Sequence, residues 1–441
     1  MSNQNHAIVI GASMGGLLAA RALADFFEQV TLIERDGFPP IGEHRKGVPQ
    51  GKHVHVLHLR GSEILEGIFP GLSADLIALG AQLMDHPERD LLWFESGNYH
   101  ARFTLDGEDV RGLALTRPLL EGYVRQRVLS LPNVRAIEQC DALGLIASER
   151  ADRVRGVRLL RRAEGSAEEV LEADLVVDAA GRGSRAPQWL EALGYCPPKE
   201  EQVVINLAYA TRFYRRRPDH VDVPRAIVIL PSPELKRGGV MLAQEGDRWI
   251  VGMIGFAGDH PPLDEACFLA FAKSLAAPDI YDVIKDAEPL SQPTSYRFKS
   301  SLRRRYEGLK RFPEGYLVFG DALCSFNPAY GQGMSVAAME ALDLQQELRR
   351  GTEGLWRRFF RRAARSIDNP WQIVVGGDLR FPEAEGKRTA QIRLSNAYVA
   401  RLHKAAHHDP VVARAFNKVA GLLEPPQSLM RPGIMWRVLR G

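Results

Sequence analysis

Hydrophobic residues follow different spacings in different parts of this chain. Residues 7–10 and 316–319 are short continuous apolar runs, which are typical of strands buried on both faces of a parallel sheet. Between residues 203 and 213, apolar side chains instead occupy every second position, which predicts antiparallel strands. Beyond residue 350 the apolar spacing is helical. The pattern predicts an α/β fold with an inserted antiparallel sheet and a helical C-terminal region.

Local signals predict further elements between these runs. Thr116 is placed to cap a helix, because Pro118 follows in the first turn. The remaining predictions are strands at 154–160, 169–179, 225–230, 239–244 and 248–256, helices at 56–68, 116–129, 264–276 and 334–350, and a hairpin over 91–105 that turns at 96–98.

Residues 7–35 contain a strand, a glycine turn, a helix, a second strand and an acid. Gly11 permits the tight turn, Gly16 allows close packing of helix and strand, and Glu34 is placed to bind an adenosine ribose. Ser13 stands where this fingerprint has its middle glycine, and its small hydroxyl can donate a hydrogen bond to a pyrophosphate. The unit predicts a bound dinucleotide and does not distinguish FAD from NAD.

A second motif follows the apolar run at 316–319. Asp321 is placed to accept hydrogen bonds from a polyol such as the ribityl chain of FAD. Pro328, Gly331 and Gly333 predict a tight turn before a helix that stops at Gly351. The N-terminus of that helix suits the negative charge of a reduced isoalloxazine ring.

Two other segments place polar groups near the crevice in which the dinucleotide is expected to bind. Asp178 ends the strand predicted at 169–179, and ligands of open α/β sheets lie at the carboxyl ends of strands. The loop that holds Arg45, His53 and His55 offers donors to a cofactor. We expect no metal there, because neither a third ligand nor a carboxylate lies at helical spacing from the two histidines.

Composition limits the class of protein. A chain of 441 residues favours two packed domains with an appendage, and a net charge of +3 gives no case for a nucleic-acid partner. The four cysteines lack metal spacing, and neither a signal peptide nor a long apolar run is visible, so we expect a cytoplasmic protein. Residues 428–440 mix large apolar side chains with arginines, which fits packing on the main body or a lipophilic contact. Any membrane contact is expected only peripherally, through this C-terminus.

The glycine turn, the segment 178–185 and the segment 320–334, in this order, resemble the FAD-dependent aromatic hydroxylase and epoxidase superfamily over about residues 7–351. The loop at 45–55 and the turn at 327–334 resemble bacterial FAD-dependent epoxidases of polyether-type biosynthesis most, and squalene epoxidase more distantly. Gln332 between two glycines departs from the hydroxylase pattern, and so does Ala179 after Asp178.

The resemblance implies non-covalent FAD bound by a Rossmann-like domain. Glu34 and Arg35 would hold the adenosine half, Asp321 the ribityl chain, and residues 331–334 would face the flavin ring. The full set of implied cofactor-binding residues is Gly11, Ser13, Met14, Gly15, Gly16, Glu34, Arg35, Arg45, Val48, Arg117, Arg125, Asp178, Gly181, Asp321, Pro328, Gly331, Gln332, Gly333 and Met334. The implied division is an FAD-binding domain at 1–90, 111–185 and 296–350, a substrate-binding β-sheet domain at 91–110 and 186–295, and a C-terminal helical region at 351–441.

The implied activity is that of an FAD-dependent monooxygenase. It would transfer one oxygen atom from a flavin C4a-hydroperoxide to an alkene or an electron-rich ring of a lipophilic secondary metabolite, by epoxidation or hydroxylation. No catalytic side chain is assigned, because the flavin carries the chemistry. Electrons would come from NAD(P)H or from flavin reduced by a partner reductase. The alternatives are a flavin-dependent halogenase, a polyprenyl reductase, and a non-catalytic flavin- or lipid-binding module.

Overall fold

The computed structural model describes residues 4–106, 110–220 and 222–440 and contains four β-sheets. In chain order the strands are β1 (Gln4–Ile10), β2 (Phe27–Ile33), β3 (Gln82–Met84), β4 (Leu91–Glu95), β5 (Asn98–Tyr99), β6 (Gly112–Ala114), β7 (Val134–Ile137), β8 (Cys140–Ala147), β9 (Val154–Arg161), β10 (Glu168–Glu172), β11 (Leu175–Asp178), β12 (Lys199–Arg215), β13 (Ala226–Ile229), β14 (Arg237–Gln244), β15 (Arg248–Gly255), β16 (Thr294–Arg305), β17 (Tyr316–Val318) and β18 (Cys324–Ser325).

The helices surround these sheets and fill the C-terminal part of the chain. They are α1 (Met14–Ala24), α2 (Leu59–Ile68), α3 (Leu72–Ala78), α4 (Pro87–Asp90), α5 (Arg117–Leu129), α6 (Ala186–Ala192), α7 (Glu265–Lys273), α8 (Asp279–Ile284), α9 (Gly333–Leu348), α10 (Leu355–Asp378), α11 (Ala390–Ala406), α12 (Pro410–Ala420) and α13 (Pro432–Arg440). Thr116 caps α5 as expected, because its side chain accepts a hydrogen bond from the Leu119 N–H at 3.3 Å.

A five-stranded parallel sheet carries the two main sequence motifs. Its strand order is β17-β11-β1-β2-β7, and every neighbouring pair is parallel. All residues of β11 and β17 are buried, as the continuous apolar runs require. The expected α/β class with a parallel sheet is confirmed. Since all strands point the same way, the residues that follow β1, β11 and β17 meet at one edge.

A second, eight-stranded sheet has the order β18-β16-β12-β15-β14-β13-β4-β5. Its pairs are antiparallel except for β13 and β4. The long strand β12 carries the alternating pattern noted above. The domain boundary expected at residue 296 falls inside β16, which pairs with β12 from Thr294 to Arg305. Residues 296–305 therefore lie in this sheet.

Two element predictions need correction. The single strand expected at 169–179 is two strands, because the Asp174 carboxylate accepts hydrogen bonds from the N–H groups of Asn5 and His6 at 2.9 and 3.1 Å. This contact directs β11 beside β1, while β10 joins β8 and β9. The helix expected from residue 56 begins only at Leu59, since His58 is extended and its ring Nε2 contacts the Tyr330 carbonyl at 2.7 Å.

The C-terminal helices pack on the main body. Leu402, Val412, Leu429 and Val438 share a small core with Phe103. The other side of the last helix is open to solvent, where Met435, Trp436 and Leu439 are exposed. Within the described ranges, none of the helices has both the length and the apolar composition needed to span a membrane.

Candidate functional site

The turn between β1 and α1 leaves no room for side chains at two of its glycines. Gly11 has φ +91°, and a Cβ atom on it would lie 2.7 Å from the Ala179 carbonyl oxygen. A Cβ atom on Gly16 would lie 1.8 Å from the carbonyl oxygen of Gly11. The backbone of the turn therefore packs directly on the helix and on the segment after β11.

The first and last motifs of the sequence meet at this turn. A Cβ atom on Gly320 would lie 3.8 Å from the Cα of Gly15, and Gly320 itself has φ +66°. The Gly320 N–H donates to the Glu340 carboxyl group at 2.7 Å. Burial raises the pKa of Glu340 to about 8, and the neighbouring Asp343 and Asp321 also raise it. Glu340 is therefore protonated near neutral pH and anchors Gly320 from α9.

Asp321 lies next to this contact, in a cleft. Its side chain is exposed, yet the protein atoms around it raise its pKa above the usual range, against the opposing charges of Arg117 and Arg182. Within the described part of the chain the carboxylate has no hydrogen-bond or ion-pair partner. Its Oδ1 lies 3.5 Å from the position of a Cβ on Gly333, at the start of α9. The arrangement leaves an acceptor free beside a helix N-terminus.

Two arginines and two glutamates form a buried cluster around Ser13. Arg45 contacts Glu34 at 2.8 Å and Glu121 at 2.9 Å, and it also donates to the carbonyl of Ala12 at 2.9 Å. The loop that holds Arg45 thus reaches the glycine turn.

Arg117 donates to Glu121 at 2.7 Å and to the Ser13 hydroxyl at 3.0 Å, and that hydroxyl contacts Glu121 at 3.0 Å. Burial by itself would raise the pKa of Glu121, but Arg117 and Arg45 outweigh it and hold that pKa below its usual range. Glu34 also accepts from the N–H groups of Ala12 and Asp36 at 2.8 and 3.0 Å. The hydroxyl of Ser13 is therefore already committed to protein partners.

The remaining candidates on the first half of the chain lie in different surroundings. Arg35 is exposed, Val48 is buried, and Arg125 donates to the Pro39 carbonyl. Met14 is buried in α1, and Gly181 has φ +74°.

Asp178 is fully buried. Its carboxylate accepts from the Ala180 N–H, the Ser184 hydroxyl and the Tyr316 hydroxyl at 2.9, 2.7 and 3.2 Å. The expectation that this side chain lies beside the crevice needs correction, because these donors hold it inside the protein. Asp178 shapes the turn after β11.

The turn before α9 separates the cleft from a large cavity. Asn327 organises it by accepting from the Ala329 N–H at 2.9 Å and donating to Asp378 at 2.8 Å. Gly331 has φ +66°, and Gln332 is buried with its Oε1 lacking a partner. Residues 328–332 line the cavity, while Gly333 faces Asp321 and Met334 is buried behind it.

The cavity has a volume of about 660 Å³ and lies between the eight-stranded sheet and the C-terminal helices. Its walls are largely apolar. Representative lining residues are Val228, Val240, Leu242, Ile254, Trp371, Ile392, Val399 and Phe416. A cavity of this size and character suits a lipophilic small molecule.

Sequence reasoning missed several residues that shape the site. Glu121 lies four positions after Arg117 on one helix, a spacing that could have revealed the pair. Glu340 lies four positions from both Val336 and Leu344 on the buried face of α9, where an acid is unusual. Arg182, which donates to the Ser300 carbonyl at 2.6 Å, had no such signal.

One comparison of sequences decides the family. The chain is 34% identical over 429 residues to protein Rv3254 of Mycobacterium tuberculosis (strain ATCC 25618 / H37Rv), and the match spans 96% of this chain and 90% of that protein. The chain belongs to the Rv3254 family. The match covers nearly all of both chains, so it includes the segments that form both main sheets and the C-terminal helices of this protein. No family model matches the sequence.

Solved structures with the same fold are flavoproteins. A flavoprotein/dehydrogenase from Cytophaga hutchinsonii superposes with a TM-score of 0.69 at 15% identity, covering 98% of this chain and 96% of that one. The flavin-dependent brominase Bmp2 gives 0.66 at 15%, covering 94% and 93%. PqsL, a probable FAD-dependent monooxygenase from Pseudomonas aeruginosa, gives 0.61 at 16%, covering 85% and 98%. The chain thus has the fold of FAD-dependent oxidoreductases.

Proposed function

We propose that this protein is an FAD-dependent monooxygenase that transfers one oxygen atom to an alkene or an electron-rich ring of a lipophilic secondary metabolite. The observation that carries the proposal is the position of the turn at 328–333. One side of it faces the cleft with the unpartnered Asp321, and the other side lines the apolar cavity. A flavin ring held against this turn would adjoin a lipophilic substrate.

The residues present fit FAD in three respects. Asp321 offers a carboxylate that has no partner in the described part of the chain and can accept from a ribityl hydroxyl. Gly15 and Gly320 are in van der Waals contact without side chains, and Gly320 has φ +66°, a conformation that favours glycine. Gln332 has a buried oxygen without a partner on the turn that would face the ring. These features support FAD as the cofactor.

The chain's own residues would bind and orient the cofactor. Glu34, Arg35, Arg45, Arg117 and Arg125 would hold the adenosine and pyrophosphate half, and Asp321 would hold the ribityl chain. The N-terminus of α9 carries a partial positive charge that would stabilise an anionic flavin. When bound, FAD would supply the activation of dioxygen.

The second sheet and the C-terminal helices would form the substrate site. Residues 91–106, 186–220 and 222–305 would contribute the sheet wall, and residues 351–440 would cover it. The apolar lining would exclude water and orient the substrate beside the turn. Electrons would come from NAD(P)H or from a partner flavin reductase.

The proposal is tested by reconstitution with FAD. We expect the purified protein to release FAD on heating, and to form an oxygenated product from a lipophilic substrate when a reductase is supplied. The product should not depend on halide. A product that contains halogen and requires halide would identify a halogenase, and saturation of a polyprenyl chain without oxygen consumption would identify a reductase. A protein that binds NAD and not FAD would contradict the proposal.

A further inference from the structure

The largely apolar cavity has one charged corner. Among its described lining residues, Glu95 and Arg380 are the only carboxylate and the only guanidinium or ammonium group. Glu95 ends β4, and Arg380 follows α10. Arg380 Nη1 and Nη2 both lie 3.5 Å from the same Glu95 oxygen, Oε1. The two residues form a loose ion pair of zero net charge.

Glu95 is held mainly by other donors. The Trp93 indole N–H donates to its Oε2 at 3.1 Å, and the Nε2 of His403 lies 3.3 Å from its Oε1. Burial acts to raise the pKa of Glu95, but His403 and Arg380 outweigh it and hold that pKa below its usual range. The carboxylate is therefore ionised and oriented before any ligand enters.

The histidines beside Glu95 form a hydrogen-bonded chain. His403 Nδ1 lies 3.2 Å from His100 Nε2, and burial lowers the pKa of His403 and brings that of His100 to about 3. Neutral His403 can donate to Glu95 only from Nε2, so Nδ1 accepts from His100. Its two ring nitrogens thus serve different neighbours. These contacts orient Glu95 through hydrogen bonds alone, although the same three residues also lie close enough together to hold a metal ion.

Arg380 has N–H groups that make only weak hydrogen bonds within the described part of the chain. Its contacts with Glu95 are at the long limit of a hydrogen bond, and its Nε is buried without a partner among the residues that the structure describes. The side chain is 23% exposed where it lines the cavity. A ligand oxygen at this corner would therefore find N–H groups that the protein leaves weakly used.

We propose that the Glu95–Arg380 pair is a head-group subsite for the hydroxyl of an otherwise apolar molecule. The hydroxyl would donate to Glu95 and accept from Arg380. A carboxylate would lie against the ionised Glu95, and an ammonium would lie against Arg380. A pure hydrocarbon would remove water from both charges without replacing its hydrogen bonds. A neutral group that both donates and accepts can form hydrogen bonds with both residues of the pair. The assignment of this molecule as the oxygenated substrate rests on the proposed function.

The subsite is tested by equilibrium binding of four molecules with the same chain: 1-decanol, decyl methyl ether, decanoic acid and decylamine. Binding is followed by intrinsic tryptophan fluorescence, to which the cavity-lining Trp93 and Trp371 contribute, with calorimetry as a second readout. We expect 1-decanol to bind about tenfold more tightly than the ether, which is the scale of a net hydrogen bond. The acid and the amine should bind more weakly than the alcohol.

Charge variants should change the ranking in opposite directions. Glu95→Gln leaves Arg380 unopposed and should make decanoic acid the tightest ligand. Arg380→Met leaves Glu95 unopposed and should make decylamine the tightest. Arg237→Met serves as the control, because Arg237 pairs with Asp259 at 2.7 Å outside the cavity lining. A ranking that stays the same in both variants would overturn the proposal.

Two further results separate this subsite from its competitors. Alcohol binding that requires Zn²⁺ and disappears with a chelator would overturn the proposal in favour of a metal site at Glu95, His100 and His403. If the four ligands bind in the expected order but no hydroxylated lipid is oxygenated, the result would support the subsite and contradict the monooxygenase function. Efficient oxygenation of substrates that lack a hydroxyl, with no preference for the alcohol, would support the monooxygenase function and overturn the subsite.

Discussion

Gly15 and Gly320 lie against each other, with 3.8 Å between the Cα of Gly15 and the position of a Cβ on Gly320. They belong to the two motifs at opposite ends of the sequence fingerprint, and their contact brings the β1–α1 turn beside Asp321. The cleft exists because two parallel strands, β1 and β17, are separated only by β11. Each loop after a strand therefore reaches the same edge.

Asp321→Ala should weaken FAD binding without weakening the fold. The carboxylate has no partner among the described residues, so its loss removes no internal contact. A hydrogen bond to a charged group is worth about 1.5–3 kcal/mol, so we expect FAD affinity to fall by roughly one to two orders of magnitude. Flavin titration and thermal unfolding of the FAD-free protein measure the two quantities. Unchanged FAD affinity would remove Asp321 from the cofactor site.

Asp178→Ala should show the opposite behaviour. Its carboxylate accepts from Ala180, Ser184 and Tyr316, and the two buried hydroxyls, of Ser184 and Tyr316, would lose their acceptor. A buried unsatisfied group costs about 1–3 kcal/mol, so the FAD-free protein should be strongly destabilised. Chemical denaturation checks this. Full stability together with lost FAD binding would place Asp178 in the cleft after all.

Gly11→Val should abolish FAD binding and lower the melting temperature. The residue has φ +91°, and its Cβ would lie 2.7 Å from the Ala179 carbonyl oxygen, so the turn must move. Gly67→Ala is the matched control, because a Cβ atom there meets nothing within 4 Å. Flavin content after purification gives the answer. Normal flavin content in Gly11→Val would show that this turn does not bind the cofactor.

Glu340→Gln should make stability less dependent on pH. The pKa of Glu340 is raised from 4.5 to about 8 in the folded protein. Between these values the folded state keeps a proton that the unfolded chain loses, so stability falls as pH rises. Glutamine has no such proton. The free energy of unfolding of Glu340→Gln, relative to that of the parent protein, should therefore increase from pH 5 to pH 8 by up to about 1.4 kcal/mol per pH unit.

The measurement for Glu340 is the free energy of unfolding at several pH values. Glu191→Gln on the exposed side of α6 is the control, and it should follow the parent protein. A constant difference between Glu340→Gln and the parent across this range would show that Glu340 is ionised in the folded protein.

The sequence predicted best what is determined locally. The glycine turn, the Thr116 cap and the alternating strand β12 follow from the residues within each segment. The break at Asp174 was missed, because it depends on the N–H groups of Asn5 and His6 on a distant strand. The corner of Glu95, Arg380 and His403 was also missed. These residues come from β4, the end of α10 and α11, and only packing brings them together.

The most direct test of oxygen transfer is the isotopic composition of the product formed under ¹⁸O₂. The FAD-loaded protein, a flavin reductase and a hydroxylated lipophilic alkene or arene would be incubated together, and the product analysed by mass spectrometry. The account predicts one ¹⁸O atom in each product molecule, and much less product from Asp321→Ala at limiting FAD. A product that carries oxygen from water, or no added oxygen at all, would contradict it.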